Sequence, residues 1–252
     1  METEQAIIQA LFYYKIMDIS HINSIILRLN SDSSFDQFSQ SVRNTLNQFG
    51  FELVSTIDQL SSLKCYTITN TLSDNASKRS NNKYMDTIIL RAMLSEVFEP
   101  SGSSLPTKFV TTFENINSRV PDVLESLPEE TRPASKPSKR QTLDSIDHLI
   151  EEGFIARYDV HYRDRSYNLL YPTTRLLCEL DRYIQENFSR ESLKHCEACR
   201  NILTIGYGCS QCSFALHQHC SESYFAESVP SDRFCPYCKT PWQDPLPIGP
   251  II

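Results

Sequence analysis

The residues able to do chemistry in this chain cluster near its carboxyl end. Cys196, Cys199, Cys209, Cys212, His217, Cys220, Cys235 and Cys238 fall into four pairs, each separated by two residues. That spacing lets two side chains reach one ion across a tight turn, so each pair is half of a tetrahedral thiolate or imidazole site. One pair would be a weak signal; four in so short a segment predict two zinc ions. Eight ligands for two ions leave no open position for water, so the zinc is expected to be structural rather than catalytic. The segment is far below the ~70–80 residues at which a hydrophobic core alone suffices. Metal binding and folding should therefore be one event. His217 has the pair spacing to Cys220, whereas His219 abuts Cys220 and His195 abuts Cys196; the latter two read as non-ligands. His21, His148 and His161 read as surface or satisfied positions, and Cys65 and Cys178 as small packed residues. Spacing alone leaves two pairings open, adjacent half-sites sharing an ion or alternating ones.

The rest of the chain must hold this segment. It has 252 residues, 40% apolar and 10% aromatic, which is a folding composition with room for two to three small domains. Only 6 glycines argue against glycine-rich nucleotide loops. The net charge of −7 gives no general attraction to nucleic acid, so any DNA contact would need a local patch. No apolar run approaches a membrane span, and the start Met1-Glu2-Thr3-Glu4 is acidic where a secretory signal is basic. A soluble, intracellular chain with reduced cysteines is expected, and no membrane partner.

Apolar periodicity predicts helices through Ile7–Phe12, Ile22–Leu29 and Phe35–Phe49, with Gly50 as the cap of the third. Alternation then predicts a hairpin from Phe51–Ser55 and Cys65–Thr69. A polar stretch, 73–82, reads as a linker. Met85, Ile88, Ile89, Ala92 and Met93 begin a second domain. Pro100, Pro106, Pro121, Pro128, Pro133 and Pro137 break up residues 100–140, with a short helix near Phe109–Ile116. Helix, strand, turn, strand recurs over Thr142–Tyr171, with its turn at Arg163-Asp164, and Pro172 opens a helix striped by Leu176, Leu177, Leu180, Tyr183 and Ile184. Helix followed by hairpin thus occurs twice. The expected architecture is α+β: winged-helix domains at 1–72 and 83–190, a two-zinc domain at 191–243 and a tail at 244–252.

The order of four cysteines, one histidine and three cysteines, ending in Cys235-Pro236-Tyr237-Cys238, resembles the RING-variant and plant-homeodomain-finger group. The resemblance implies an alternating cross-brace: Cys196, Cys199, His217 and Cys220 hold one zinc, and Cys209, Cys212, Cys235 and Cys238 the other. A plant-homeodomain histone reader would carry tryptophan where Arg233 stands, and the aromatics for a methyl-lysine cage are missing from the expected places. The RING reading is supported by Pro236 after the seventh ligand, a short helix at Ser221–Ser228 with Tyr224 and Phe225, and the cation Lys239 after the eighth. Ala198 is smaller than the apolar contact residue of many ligases, which implies weak activity alone.

Tandem winged helices followed by a RING variant resemble the RING subunits, the non-SMC element one family, of the chromosome-maintenance complex built on the Smc five and Smc six proteins. The likeness is closest from Gln141 to Trp242, including Leu149-Ile150-Glu151-Glu152-Gly153-Phe154-Ile155, Tyr183-Ile184 and Tyr224-Phe225. It implies a nuclear, chromosome-associated ubiquitin ligase acting in DNA repair and recombination, assisted by a MAGE-type winged-helix subunit and joined to a kleisin-type subunit. Ala198, Pro236 and Lys239 would contact the conjugating enzyme or ubiquitin, with no catalytic residue of its own. The alternative is a non-catalytic zinc module that only mediates subunit or DNA interaction. Arg132, Lys136, Lys139 and Arg140, in an acid-free stretch before a helix, are the candidates for nonspecific DNA contact.

Overall fold

The computed structural model describes residues 2–29, 33–71, 84–102, 105–133, 135–162, 164–229 and 232–250. Backbone contacts divide the chain into two compact units, residues 1–81 with 174–182, and residues 82–173 with 183–252. The linker expected at 73–82 lies outside the described residues.

The first unit runs α1 (Glu2–Tyr14), β1 (Ile16–Asp18), α2 (Ile19–Arg28), α3 (Phe35–Gln48), β2 (Phe51–Ile57) and β3 (Lys64–Asn70). The predicted stripes meet in one core: Ile7 and Leu11, Ile22 and Ile26, and Phe35, Val42 and Leu46 pack with Leu53 and Tyr66. Asp18 caps α2 by accepting the backbone N–H of His21 at 2.9 Å. Gly50, at φ 75°, turns the chain out of α3. The hairpin pairs Phe51 with Asn70 through to Ile57 with Lys64. The sequence did not reveal β1, which joins the other edge of β3 to give the order β1-β3-β2. Three residues are too few for alternation to register.

The second unit opens with α4 (Tyr84–Phe98), then α5 (Phe113–Ser126), α6 (Lys139–Glu151), β4 (Ile155–Tyr162) and β5 (Arg165–Pro172). The hairpin runs in register from Ile155 with Pro172 to Tyr162 with Arg165. The expected turn there has Asp164 at φ 60°, while Arg163 lies outside the described residues. Gly153, at φ 75°, ends α6. Rather than showing one apolar stripe, α4 is buried on most of its circumference. It carries two carboxylates with it, Asp86 and Glu96, each 1% exposed. His148 Nδ1 lies 2.9 Å from Asp86, and Arg119 Nε lies 2.8 Å from Glu96. Buried polar groups persist when they are partnered in this way.

Five expectations need correction. The prolines do not dissolve residues 100–140: α5 has 14 residues, is capped by Thr112, and includes Pro121 at the cost of one backbone hydrogen bond. The helix expected after Pro172 is two, α7 (Thr174–Glu179) and α8 (Asp181–Asn187). Residues 174–182, placed by the sequence in the second domain, pack with the first unit, where Thr174 Oγ1 donates to Asp58 at 2.6 Å and accepts from the Gln59 N–H at 3.2 Å. Finally, 244–252 is not all tail. The carboxyl-terminal module contains β6 (Gly206–Gly208), β7 (Ala215–Leu216), α9 (Gln218–Tyr224) and β8 (Leu246–Ile248), in sheet order β7-β6-β8. β8 reaches β6 because Gly249, at φ 81°, presses against the Thr204 carbonyl, where a Cβ would lie only 2.2 Å away. The short helix begins at Gln218 and ends at Tyr224, earlier than the expected Ser221–Ser228. Among the described residues no helix is long and apolar enough to cross a membrane.

Candidate metal centre

The outer pairs sit on two turns built to the same plan. In the first, the Cys196 N–H donates to the Asn201 carbonyl at 2.9 Å and the Arg200 N–H to the Cys196 carbonyl at 2.8 Å. In the second, the Cys235 N–H donates to Thr240 at 2.8 Å and the Lys239 N–H to Cys235 at 2.9 Å. Arg200 (φ 66°) and Lys239 (φ 62°) take the left-handed conformation that closes each turn. Short antiparallel bridges, His195 with Ile202 and Phe234 with Pro241, clamp both bases. The inner cysteine pair, Cys209 and Cys212, is held by β6 and β7, with the Cys209 N–H on the Phe214 carbonyl at 2.8 Å. His217 precedes α9 and Cys220 lies within it, so one helical turn brings the mixed pair together.

These elements gather the eight side chains into two tetrads, Cys196, Cys199, His217 and Cys220, and Cys209, Cys212, Cys235 and Cys238. In each, all ligand atoms lie within 4.8 Å of one another. Cys209 Sγ is 3.4 Å from Cys238 Sγ, and Cys212 Sγ is 3.5 Å from Cys235 Sγ. His217 Nδ1 is 3.3 Å from Cys199 Sγ and 3.9 Å from Cys220 Sγ. A tetrahedron with Zn–S bonds of ~2.3 Å has edges of about 3.8 Å, so both tetrads are the size of a zinc site. His217 Nε2 lies 3.2 Å from the Ile202 carbonyl. With the proton there, the Nδ1 lone pair points at the ion, the outer-shell arrangement that fixes a ligating histidine. His219 stacks on His217 with ring centroids 5.2 Å apart and belongs to neither tetrad.

Thiol electrostatics also call for a cation. Burial pushes Cys196 up, but hydrogen bonds from His217 and from the backbone of Cys199, His217 and Ala198 outweigh it and hold the thiol at about 6. Burial, then Cys196 and Cys199, push Cys220 the other way. In the second tetrad the Thr240 hydroxyl and N–H hold Cys238 at about 6. Cys212, although lowered by the Phe214 N–H, is pushed up to about 12 by burial and by the sulfurs of Cys235, Cys238 and Cys209. Thiolates this crowded ionise together only around a shared positive charge. Two zinc ions fit the tetrads, and zinc held by four protein ligands is a structural brace.

Between the two outer turns runs a link invisible in the sequence. Tyr237 Oη donates to Glu197 Oε2 at 2.8 Å, and Arg200 Nη1 donates to the same oxygen at 2.6 Å. Ala198 and Lys239 are exposed and Pro236 is half-buried on these turns. Behind them, Phe214, Phe225 and Trp242 pack with ring centroids 5.5 and 5.7 Å from the indole. Of the candidate DNA contacts, Lys136, Lys139 and Arg140 are exposed around the start of α6. Arg132 is engaged elsewhere: its Nη2 donates to the carbonyls of Glu125 and Leu127 at 2.8 and 3.0 Å, capping the end of α5.

Residues 196–238 match the family described as RING-like domain. Over 73 residues the chain is 34% identical to the non-structural maintenance of chromosomes element 1 homolog of Bos taurus, and 29% identical to that of Homo sapiens. Each alignment covers 29% of this chain and 26% of the relative. Non-structural maintenance of chromosomes element 1 of Schizosaccharomyces pombe is 34% identical over 77 residues, 31% of this chain and 30% of the relative. The matched stretch is thus under a third of these relatives' length. A chain of the solved Nse1-Nse3-Nse4 complex superposes with a TM-score of 0.70 at 18% identity, covering 97% of both chains, so the whole fold is shared. The carboxyl-terminal region is therefore a RING-like domain with two zinc-holding tetrads, carried on a chain whose curated relatives are element 1 proteins of chromosome maintenance.

Proposed function

We propose that this chain is the RING-type subunit of a nuclear chromosome-maintenance complex acting in DNA repair and recombination, and that it positions a ubiquitin-charged conjugating enzyme. The observation carrying this reading is the pair of matching turns, linked through Tyr237 and Glu197, that present Ala198, Pro236 and Lys239 on one module. A platform of this kind supplies no nucleophile and no base. It accelerates transfer by restricting the charged enzyme to reactive orientations. The remainder of the chain, residues 1–81 with 174–182 and residues 82–173, is read as two winged-helix domains that dock a MAGE-type and a kleisin-type subunit, in keeping with the whole-chain likeness to a chain of the Nse1-Nse3-Nse4 complex.

The test is discharge of ubiquitin from a charged conjugating enzyme by the zinc-loaded chain, assembled with its MAGE-type partner. Pro236→Ala and Lys239→Ala should each slow discharge with zinc content unchanged. Equal rates for both variants and the parent would refute the contact surface. Absence of stimulation by the parent would favour a purely structural module. Lys136, Lys139 and Arg140 are proposed to contact DNA phosphates. Two cations in the first turn of α6 oppose the helix dipole, and an external anion would relieve that repulsion. Replacing all three by alanine should flatten the salt dependence of DNA binding; an unchanged slope would dismiss the contact.

A further inference from the structure

The two outer turns of the RING-like module each hold half of a different tetrad, Cys196 and Cys199 in one and Cys235 and Cys238 in the other. Neither metal site takes ligands from both turns, so neither sets the distance between them directly. The contacts between the turns form a small frame instead. Its base is two consecutive buried residues, Phe214 and Ala215. The Glu197 N–H donates to the Ala215 carbonyl at 3.0 Å, and the Tyr237 ring meets Phe214 edge-to-face with centroids 5.2 Å apart. The crosspiece is the hydrogen bond from Tyr237 Oη to Glu197 Oε2 at 2.8 Å. Arg200 Nη1, 2.6 Å from the same oxygen, ties the carboxylate back to its own turn. A carboxylate acceptor makes this crosspiece stronger than a hydrogen bond between neutral groups. Tyr237 is 59% exposed, so burial accounts for little of what its phenol does there.

The residues read above as contacts of the conjugating enzyme or ubiquitin are divided between these same turns. Ala198 adjoins Glu197 in the first, while Pro236 adjoins Tyr237 and Lys239 follows two residues later in the second. A charged conjugating enzyme touching one turn alone keeps the freedom to rotate about it. Restricting it to reactive orientations requires both turns at once, at a fixed separation. The crosspiece joins the immediate neighbours of these contacts and so governs that separation. We propose that Tyr237 and Glu197 are positioning residues for ubiquitin transfer, their hydrogen bond holding the Ala198 turn in register with the Pro236 and Lys239 turn so that one charged enzyme engages both. The inference rests on the ligase reading above and deepens it by assigning what keeps the two halves of the surface together. Both residues act through the neighbours they place, not on the thioester itself.

The test measures ubiquitin discharge by the zinc-loaded full chain with its MAGE-type partner, at varied concentrations of charged conjugating enzyme. Tyr237→Phe keeps the ring on Phe214 and removes only the crosspiece. It should lower the maximal rate about three- to tenfold, the range of one net hydrogen bond, and shift the half-saturating concentration by less. Zinc content and Trp242 emission should be unchanged. Glu197→Ala should slow discharge as Tyr237→Phe does, whereas Glu197→Gln, whose amide oxygen still accepts from Tyr237, should keep most of the parental rate. Tyr237→Phe combined with Lys239→Ala should lose less than the product of the two single losses, because the phenol acts by placing the Lys239 turn. No discharge by the parent would refute the ligase reading, and the positioning role with it. An active parent matched by Tyr237→Phe would overturn the positioning role and leave the ligase reading standing. So would a Glu197→Gln rate as low as that of Glu197→Ala, or single losses that multiply in full. Loss of zinc from both Tyr237→Phe and Glu197→Ala would make the bond a folding element and overturn the proposal as well.

Discussion

Removing zinc should unfold the carboxyl-terminal module and little else, and one residue reports it. Trp242 is the only tryptophan in the chain. It is 5% exposed and packs between Phe214 and Phe225. The module's large buried apolar side chains are Ile202, Leu203, Phe214, Leu216, Phe225, Trp242 and Ile248. At ~1.5–3 kcal/mol each their burial contributes roughly 10–20 kcal/mol. One structural zinc supplies ~10–16 kcal/mol on its own, so losing both ions removes at least as much as that core provides. Among the described residues the module's one α-helix has 7 residues, against 13, 10 and 14 in α1–α3 and 15, 14 and 13 in α4–α6. Titrating the full chain with a strong chelator should release two zinc ions and shift the tryptophan emission to the red, while helical circular dichroism at 222 nm falls only slightly. An unshifted emission after complete zinc loss would show that the apolar cluster folds without metal. Loss of most of the helical signal in step with zinc would show that the other elements depend on the module. Either result refutes the reasoning.

Other predictions address single features. Cys209→Ser and Cys196→Ser should each lower retained zinc and shift Trp242 emission, because the tetrads share one small fold; metal analysis of both variants checks this. Arg119→Ala should destabilise the chain by about 3 kcal/mol, since it strands the buried Glu96 carboxylate, whereas pairing it with Glu96→Leu should recover much of the loss in thermal melts. Gly249→Ala should lower the Trp242-monitored melting temperature, costing about 1–3 kcal/mol, because the added methyl meets the Thr204 carbonyl at a positive φ. Cys65 is pushed up to about 11 by burial and by Asp58 and Asp18. The unfolded thiol ionises first, so its contribution to stability is full below pH 9 and is lost as the pH rises through about 11. Iodoacetamide at pH 8 should leave Cys65 unlabelled in the native chain, and mass spectrometry reads the outcome.

The metal site was legible because its information is local. A two-residue spacing needs only a turn to become a half-site, and the eight ligands could be named before any fold was known. The same holds for helix stripes such as Phe35, Val42 and Leu46, which point one way at a period of 3.6. What stayed hidden depends on distant partners. β1 and β8 are three residues each and exist because β3 and β6 offer them an edge. Pro121 marks a break by local rules, yet the packing of Ile116, Val120, Val123 and Leu124 carries α5 through it. Residues 174–182 return to the first unit through Asp58 and Gln59, far back along the chain. The contact of Tyr237 with Glu197 spans 40 positions, and no periodicity encodes it. The DNA candidates share only composition, which counts charges and does not encode that Arg132 is engaged at a helix end.

The interleaved order of the ligands has a mechanical consequence. Each ion would close a span that contains a ligand pair of the other, so opening either one loosens the loop that the other latches. A domain threaded in that manner should withstand tugging at its termini and nicking by proteases until a ligand is pried loose, and then fail as a whole.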